Sequence, residues 1–178
     1  MNVPTGPTVV LCGPPGCGKT ATGRVLATLL GLPFHDTDEA IVASVGRSIS
    51  DIFVEDGEPA FRALERAEVA RALEHERGVL AVGGGAVMDP GTEQRLRGRP
   101  VVFLDVAPAD AARRVGLDAT ARPMLAVTPR AAWRELMAQR RETYRRVGTI
   151  HVDTTGRTPH QVAELVAAAL SAPSPVRP

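Results

Sequence analysis

The sequence has almost no lysine. Lys19 is the single lysine among 21 basic residues, and arginine supplies the rest. The Asn-Lys-x-Asp motif by which GTPases read guanine therefore cannot occur away from Lys19, which excludes a signalling GTPase. Aromatic residues are also scarce, at 3%. A core must then be built from Val, Leu, Ile and Ala, which suits buried parallel strands covered by Ala-rich helices. Of the two cysteines, Cys12 and Cys17 lie five positions apart, a spacing that fits neither a zinc site nor a disulfide framework. They read as free thiols of a reducing compartment. No apolar run approaches the ~20 residues of a bilayer span, and Met1 to Pro7 carries no signal-peptide pattern. The net charge of +1, with both signs spread along the chain, lacks the concentrated basic field of a nucleic-acid binder. What remains is one soluble, cytoplasmic globular domain over residues 1–170 that takes a small anionic ligand. Ser171 to Pro178 is proline-rich and reads as a disordered tail.

Short apolar runs bounded by turn residues predict strands at Thr8–Cys12, Leu32–His35, Val79–Val82, Val101–Asp105 and Thr149–Val152. Helical spacing fills the intervals at Lys19–Leu30, Glu39–Val45, Pro59–His75, Gly91–Leu96, Pro108–Val115, Arg130–Arg146 and Pro159–Leu170. Strands alternating with helices predict an α/β fold, a three-layer α/β/α sandwich around a five-stranded parallel sheet. The stretch of about 116–129 fits neither pattern. A loop of that length inside a compact domain reads as a lid, or else as a mobile surface insertion.

Gly13-Pro14-Pro15-Gly16-Cys17-Gly18-Lys19-Thr20 follows a predicted strand and opens a predicted helix. This is the phosphate-loop pattern G-x-x-x-x-G-K-[ST] in its required context. The glycines allow backbone N–H groups to converge on phosphate oxygens, and the helix N-terminus adds its positive dipole end. Lys19 reaches the β- and γ-phosphates, and the Thr20 hydroxyl is offered to Mg²⁺. A compact ammonium suits this place where a planar guanidinium does not, so the one lysine sits where chemistry needs it. Chain size favours a small-molecule kinase over ring or motor ATPases.

Such a kinase needs a base near an acceptor hydroxyl and cations for the acceptor's charge. Asp36 and Asp38 stand at the end of the second strand, at the sheet edge where ligands bind in α/β folds. One acid can face Mg²⁺ and the other the acceptor, although Asp38 would serve equally as a helix N-cap. Gly83, Gly84 and Gly85 end the third strand and permit close approach of a ligand, or simply a tight turn. Arg62 and Arg140 fall on predicted helices and Arg122 in the irregular loop. By themselves they are indistinguishable from surface charges.

Taken together, Gly13–Thr20, Asp36-Thr37-Asp38, Gly46-Arg47-Ser48-Ile49, Phe61-Arg62, Gly83-Gly84-Gly85-Ala86, Arg122-Pro123-Met124-Leu125 and Tyr144-Arg145 occur in an order and spacing that resembles the shikimate kinases. The resemblance runs from Val9 to about Leu170. It implies a P-loop kinase fold with a lid and ATP-dependent phosphorylation of the 3-hydroxyl of shikimate, giving shikimate 3-phosphate and ADP on the way to chorismate and the aromatic amino acids. A gluconate kinase would share the phosphate loop and a lid arginine but not the remaining set.

By that resemblance, Gly13, Gly16, Cys17, Gly18, Lys19 and Thr20 bind ATP, and Arg114, Arg122 and Arg157 join them. Arg114 and Arg157 match positions beside the adenine, and Arg122 matches the lid arginine that neutralises the transferring group. Lys19, Asp38 and Arg122 carry the catalysis. Asp38, Arg62, Gly83, Gly84, Gly85 and Arg140 bind shikimate, with the two arginines on its carboxylate. Thr20 and Asp36 hold Mg²⁺, the one cofactor implied. A monomer is expected. Cys17 stands where Ser is usual, Met124 replaces Leu, and the run 115–121 is one residue longer than usual, which alters the expected path of the lid.

Overall fold

The computed structural model describes residues 6–116 and 130–172. Five strands, β1 (Val9–Cys12), β2 (Phe34–Asp36), β3 (Val79–Ala81), β4 (Val101–Asp105) and β5 (Ile150–Asp153), form one parallel sheet in the order β2-β3-β1-β4-β5. The reversal of order falls at β1, so the phosphate loop leaves the sheet at its topological switch point, where ligands bind in open α/β sheets. Eight helices lie among the described residues: α1 (Lys19–Leu30), α2 (Thr37–Val45), α3 (Ile49–Glu55), α4 (Glu58–His75), α5 (Pro90–Leu96), α6 (Pro108–Gly116), α7 (Arg130–Val147) and α8 (Pro159–Ser171).

Alternate residues of the buried strands feed two cores, as the pleat requires. Val9, Leu11, Val102 and Leu104 pack with Leu26, Ala27, Val162, Ala163 and Val166 of α1 and α8. Val10, Leu80, Val101 and Phe103 pack with Val69, Ala72, Leu73, Leu96 and Tyr144 of α4, α5 and α7. A third cluster of Ile41, Ile52 and Phe61 ties α2, α3 and α4 into a flap beside β2. It is a cluster separate from the two sheet cores, and it gives the stretch of α4 that carries Arg62 a scaffold of its own.

All five predicted strands and all seven predicted helices occur, with ends displaced by a residue or two. The addition is α3, a seven-residue helix that the apolar pattern did not predict. Its signal is the cap: Ser48 Oγ accepts from Asp51 N at 3.1 Å and the Asp51 carboxylate accepts from Ser48 N at 3.3 Å, a capping box. Helix α6 also runs on through Gly116, the expected first residue of the lid. Residues 117–129 and 173–178 lie outside the described residues, and with them Arg122, Met124 and most of the tail. No helix among the described residues is long and apolar enough to cross a membrane.

Candidate active site

The phosphate loop bridges β1 and α1. Gly18 caps α1 at φ 89°, left-handed backbone that favours glycine. Gly13 lies so close to β4 that a Cβ there would stand 2.5 Å from Leu104 O. Lys19 Nζ donates to Gly13 O at 2.8 Å and to Pro14 O at 3.3 Å, so the ammonium is already drawn across the mouth of its own loop. The Cys17 side chain turns inward. Its Sγ is 3.8 Å from Lys19 Nζ and belongs to the core beneath the loop, while its backbone N–H donates to Pro14 O at 3.2 Å and so holds the turn of the loop. Deep burial, reinforced by Cys17, pushes the neighbouring Cys12 thiol up to about 12. Both thiols are free.

Thr20 Oγ1 donates to Asp36 Oδ2 at 2.7 Å, which joins the first turn of α1 to the end of β2. Asp36 Oδ1 accepts from Asp38 N at 2.9 Å and Glu39 N at 3.4 Å. The capping acid of α2 is thus Asp36, and the capping role considered for Asp38 is corrected. An N-cap must stand just outside the first helical residue, which here is Thr37. Thr20 and Asp36 offer hard oxygen donors of the type Mg²⁺ takes. Two are too few for a protein cage, and Mg²⁺ ordinarily completes its shell with phosphate oxygens and water.

The three glycines after β3 are the point where the acceptor residues meet. A Cβ on Gly83 would stand 2.5 Å from Glu65 Oε1 and 2.7 Å from Asp38 Oδ1, so both carboxylates close on its bare Cα. Gly83 N donates to the buried Thr37 Oγ1 at 3.1 Å, fixing the turn to the start of α2. A Cβ on Gly84 would meet Pro15 Cδ of the phosphate loop at 3.1 Å, and one on Gly85 would meet Arg62 Nη1 at 2.2 Å. The glycines therefore serve approach by neighbouring side chains as much as by any ligand.

Arg62 Nη1 donates to Glu65 Oε2 at 2.6 Å, and its Nε and Nη2 reach Glu58 Oε1 at 3.2 and 3.1 Å. Burial works against its charge, but Glu65 and Glu58 more than offset this and raise it from its ordinary value. Glu65 is buried, at 3% exposure, and burial pushes its carboxyl up while Arg62 and Arg140 pull against that shift. The charge of Arg140, on α7, is thus felt at Glu65. Lys19, Thr20, Asp36, Asp38, Arg62, the three glycines and Arg140 gather at one edge of the sheet.

Arg114 and Arg157 form a separate cluster around Thr154. Arg114 donates to Gly16 O at 3.2 Å and to Thr154 O at 2.9 Å, and Arg157 N donates to Thr154 O at 3.1 Å. Arg114 thereby clamps the phosphate loop to the turn after β5.

Three residues of the site went unassigned in the sequence reading. Glu65 had a usable signal: it interrupts the buried stripe Phe61, Val69, Ala72 and Leu73 of α4, and an acid on an apolar face is rarely left without a partner. Thr37 and Tyr144 were visible only as parts of longer motifs. The Tyr144 hydroxyl donates to Gly84 O, and neither local spacing nor composition foretells that contact.

A sequence-family model described as shikimate kinase matches residues 15–171. A shikimate kinase of Salinispora arenicola is 54% identical over 166 residues, covering 93% of this chain and 99% of that one. Among solved structures, a shikimate kinase from Acinetobacter baumannii in complex with shikimate superposes with a TM-score of 0.88 at 33% identity, covering 93% of each chain. A gluconokinase from Sinorhizobium meliloti reaches a TM-score of 0.57 at 20% identity over 95% of this chain and 94% of that one, a likeness of fold alone.

Proposed function

The chain belongs to the shikimate kinase family, and from that premise we propose that it transfers the γ-phosphoryl group of ATP to the 3-hydroxyl of shikimate, giving shikimate 3-phosphate and ADP. The observation that carries this reading is the meeting of Asp38, Glu65 and Arg62 on the Gly83–Gly85 turn, whose middle residue abuts Pro15 of the phosphate loop. An acid, a cation and a phosphate cradle then face one cleft.

In this reading Lys19 and the loop amides hold the β- and γ-phosphates, and Asp38 accepts the proton as the acceptor oxygen attacks. Arg62 and Arg140 bind the planar carboxylate with planar forks. Glu65 keeps the Arg62 fork in plane. Arg122 is the cation that closes over the transferring group, and closure excludes water. Thr20 and Asp36 hold Mg²⁺, which when bound neutralises phosphate charge. Arg114 and Arg157 flank the adenine, an assignment supported for Arg114 by its guanidinium, which bridges Gly16 O of the phosphate loop and Thr154 O. All these residues come from one chain, which fits a monomer, and the cytoplasm is the proposed compartment.

A coupled ADP-release assay with shikimate, gluconate, a nucleoside monophosphate or no acceptor tests the proposal. Turnover is expected with shikimate alone. Turnover with gluconate or the nucleotide and none with shikimate overturns it.

A further inference from the structure

Tyr144 is the only tyrosine in the chain. Its ring lies in the core at 1% exposure, stacked on Phe103 at 5.4 Å between centroids and 15° between planes. A phenylalanine would supply all of that packing, so the hydroxyl needs its own explanation. A buried hydroxyl is costly unless hydrogen-bonded, and this one donates to Gly84 O. Arg140, one helical turn earlier on α7, is the neighbour of Tyr144 on the helix face, and its charge works against the rise that burial imposes on the phenol.

The peptide between Gly84 and Gly85 is trans, and in a planar trans peptide the C=O and N–H point in opposite directions. Drawing Gly84 C=O toward Tyr144 in the core therefore turns Gly85 N–H away from the core. Gly85 is the residue against which the Arg62 guanidinium rests. One hydroxyl thus bears on three acceptor-side groups: the Gly84–Gly85 peptide plane, the Gly85 N–H beside Arg62, and the Arg140 fork.

Given the acceptor site placed above, we propose that Tyr144 is a positioning residue, whose hydroxyl sets the Gly84–Gly85 peptide and the Arg140 guanidinium in the orientation that receives the acceptor's carboxylate and ring hydroxyls. It touches neither the phosphates nor the reacting oxygen. Its influence therefore falls on acceptor binding and leaves nucleotide binding alone, although the turn it fixes lies against Pro15.

Tyr144→Phe removes the hydroxyl and keeps the ring. The expected result is a KM for shikimate raised roughly tenfold, with kcat and KM for ATP held within about twofold, as when a buried polar group loses its partner. Arg140→Ala is assayed beside it, and the double variant should raise KM by less than the product of the two single effects, because both act on one fork. A second measurement needs no substitution. With ¹³C-labelled tyrosine the protein gives a single Tyr144 ring signal, which should shift saturably as shikimate is added without nucleotide.

If Arg140→Ala raises KM for shikimate while a folded Tyr144→Phe does not, the positioning role is wrong and the acceptor site stands. If neither moves it, the acceptor site and the positioning role fall together. A tyrosine signal unmoved at saturating shikimate overturns the role even where the variant fails to fold.

Discussion

The two halves of the cleft are built differently. The phosphate side is nearly one contiguous segment: Gly13 to Thr20 supplies the cradle, and Lys19 is held by carbonyl groups of its own loop. The acceptor side is assembled across the chain, with Asp38 on α2, Arg62 and Glu65 on α4, the glycines after β3 and Arg140 on α7. Main-chain geometry dominates the first and side-chain geometry the second. A half made of backbone should tolerate changes around it and fail only at its charged group, whereas a half made of side chains should respond at each one. Binding of ATP and of shikimate should thus separate cleanly under mutation.

The largest effect expected is on the phosphate side. Lys19→Ala should lower kcat by ~10²–10³, the usual result of removing one charge-stabilising donor, with thermal stability little changed because among the described residues the ammonium bonds only within its own loop. A loss of less than tenfold would show that the loop amides suffice and would blur the contrast. Gly85→Ala comes next. Gly85 has ordinary right-handed backbone at φ −94° and ψ −13°, so the substitution strains only its neighbour, the Arg62 guanidinium. A misplaced fork should reduce kcat/KM for shikimate by up to ~10²-fold and leave KM for ATP alone. Steady-state kinetics varying each substrate in turn checks this, and an equal rise in both KM values breaks the division. Glu65→Gln keeps the shape and removes the charge that holds Arg62. KM for shikimate should rise roughly tenfold, again without a change for ATP.

The same division governs what the sequence could disclose. A site made of consecutive backbone has a consecutive pattern, and Gly13–Thr20 declares both its ligand and its place at the sheet's edge. The acceptor side has no local pattern: Arg62 and Arg140 look like any two of twenty arginines until their order among the other motifs is considered. Glu65 was within reach, because it breaks an apolar stripe. The partnership of Tyr144 with Gly84 was not, since it spans sixty residues and depends on how α7 lies over β4. The fold was the easiest part to read because three of the five strands, β1, β3 and β4, are apolar throughout but for the closing Asp105, as doubly covered parallel strands require. Helix α3 escaped because its stability comes from a cap and from Ile52 against Phe61 rather than from periodicity.

The smallest effect expected concerns stability and ties the phosphate side to the core below it. Cys12 ends β1 directly beneath the loop, and burial raises its thiol from 9.0 to about 12, with Cys17 adding to the shift and Lys19 opposing it. In the unfolded chain the thiol ionises near pH 9, while in the folded one it keeps its proton to about 12. Between those limits the unfolded state binds fewer protons, so stability is fully present below pH 9 and declines as pH rises, by at most ~1.4 kcal/mol per pH unit from this one group. Tyr144, also raised by burial, adds to the decline in the upper part of that range. Urea titrations at intervals above pH 9 should show the downward slope in the parent and a shallower one in Cys12→Ala, whatever the absolute stability of the variant. Identical slopes would mean that ionisation elsewhere governs alkaline unfolding, and that the floor of the phosphate loop is no more sensitive to base than the acceptor side.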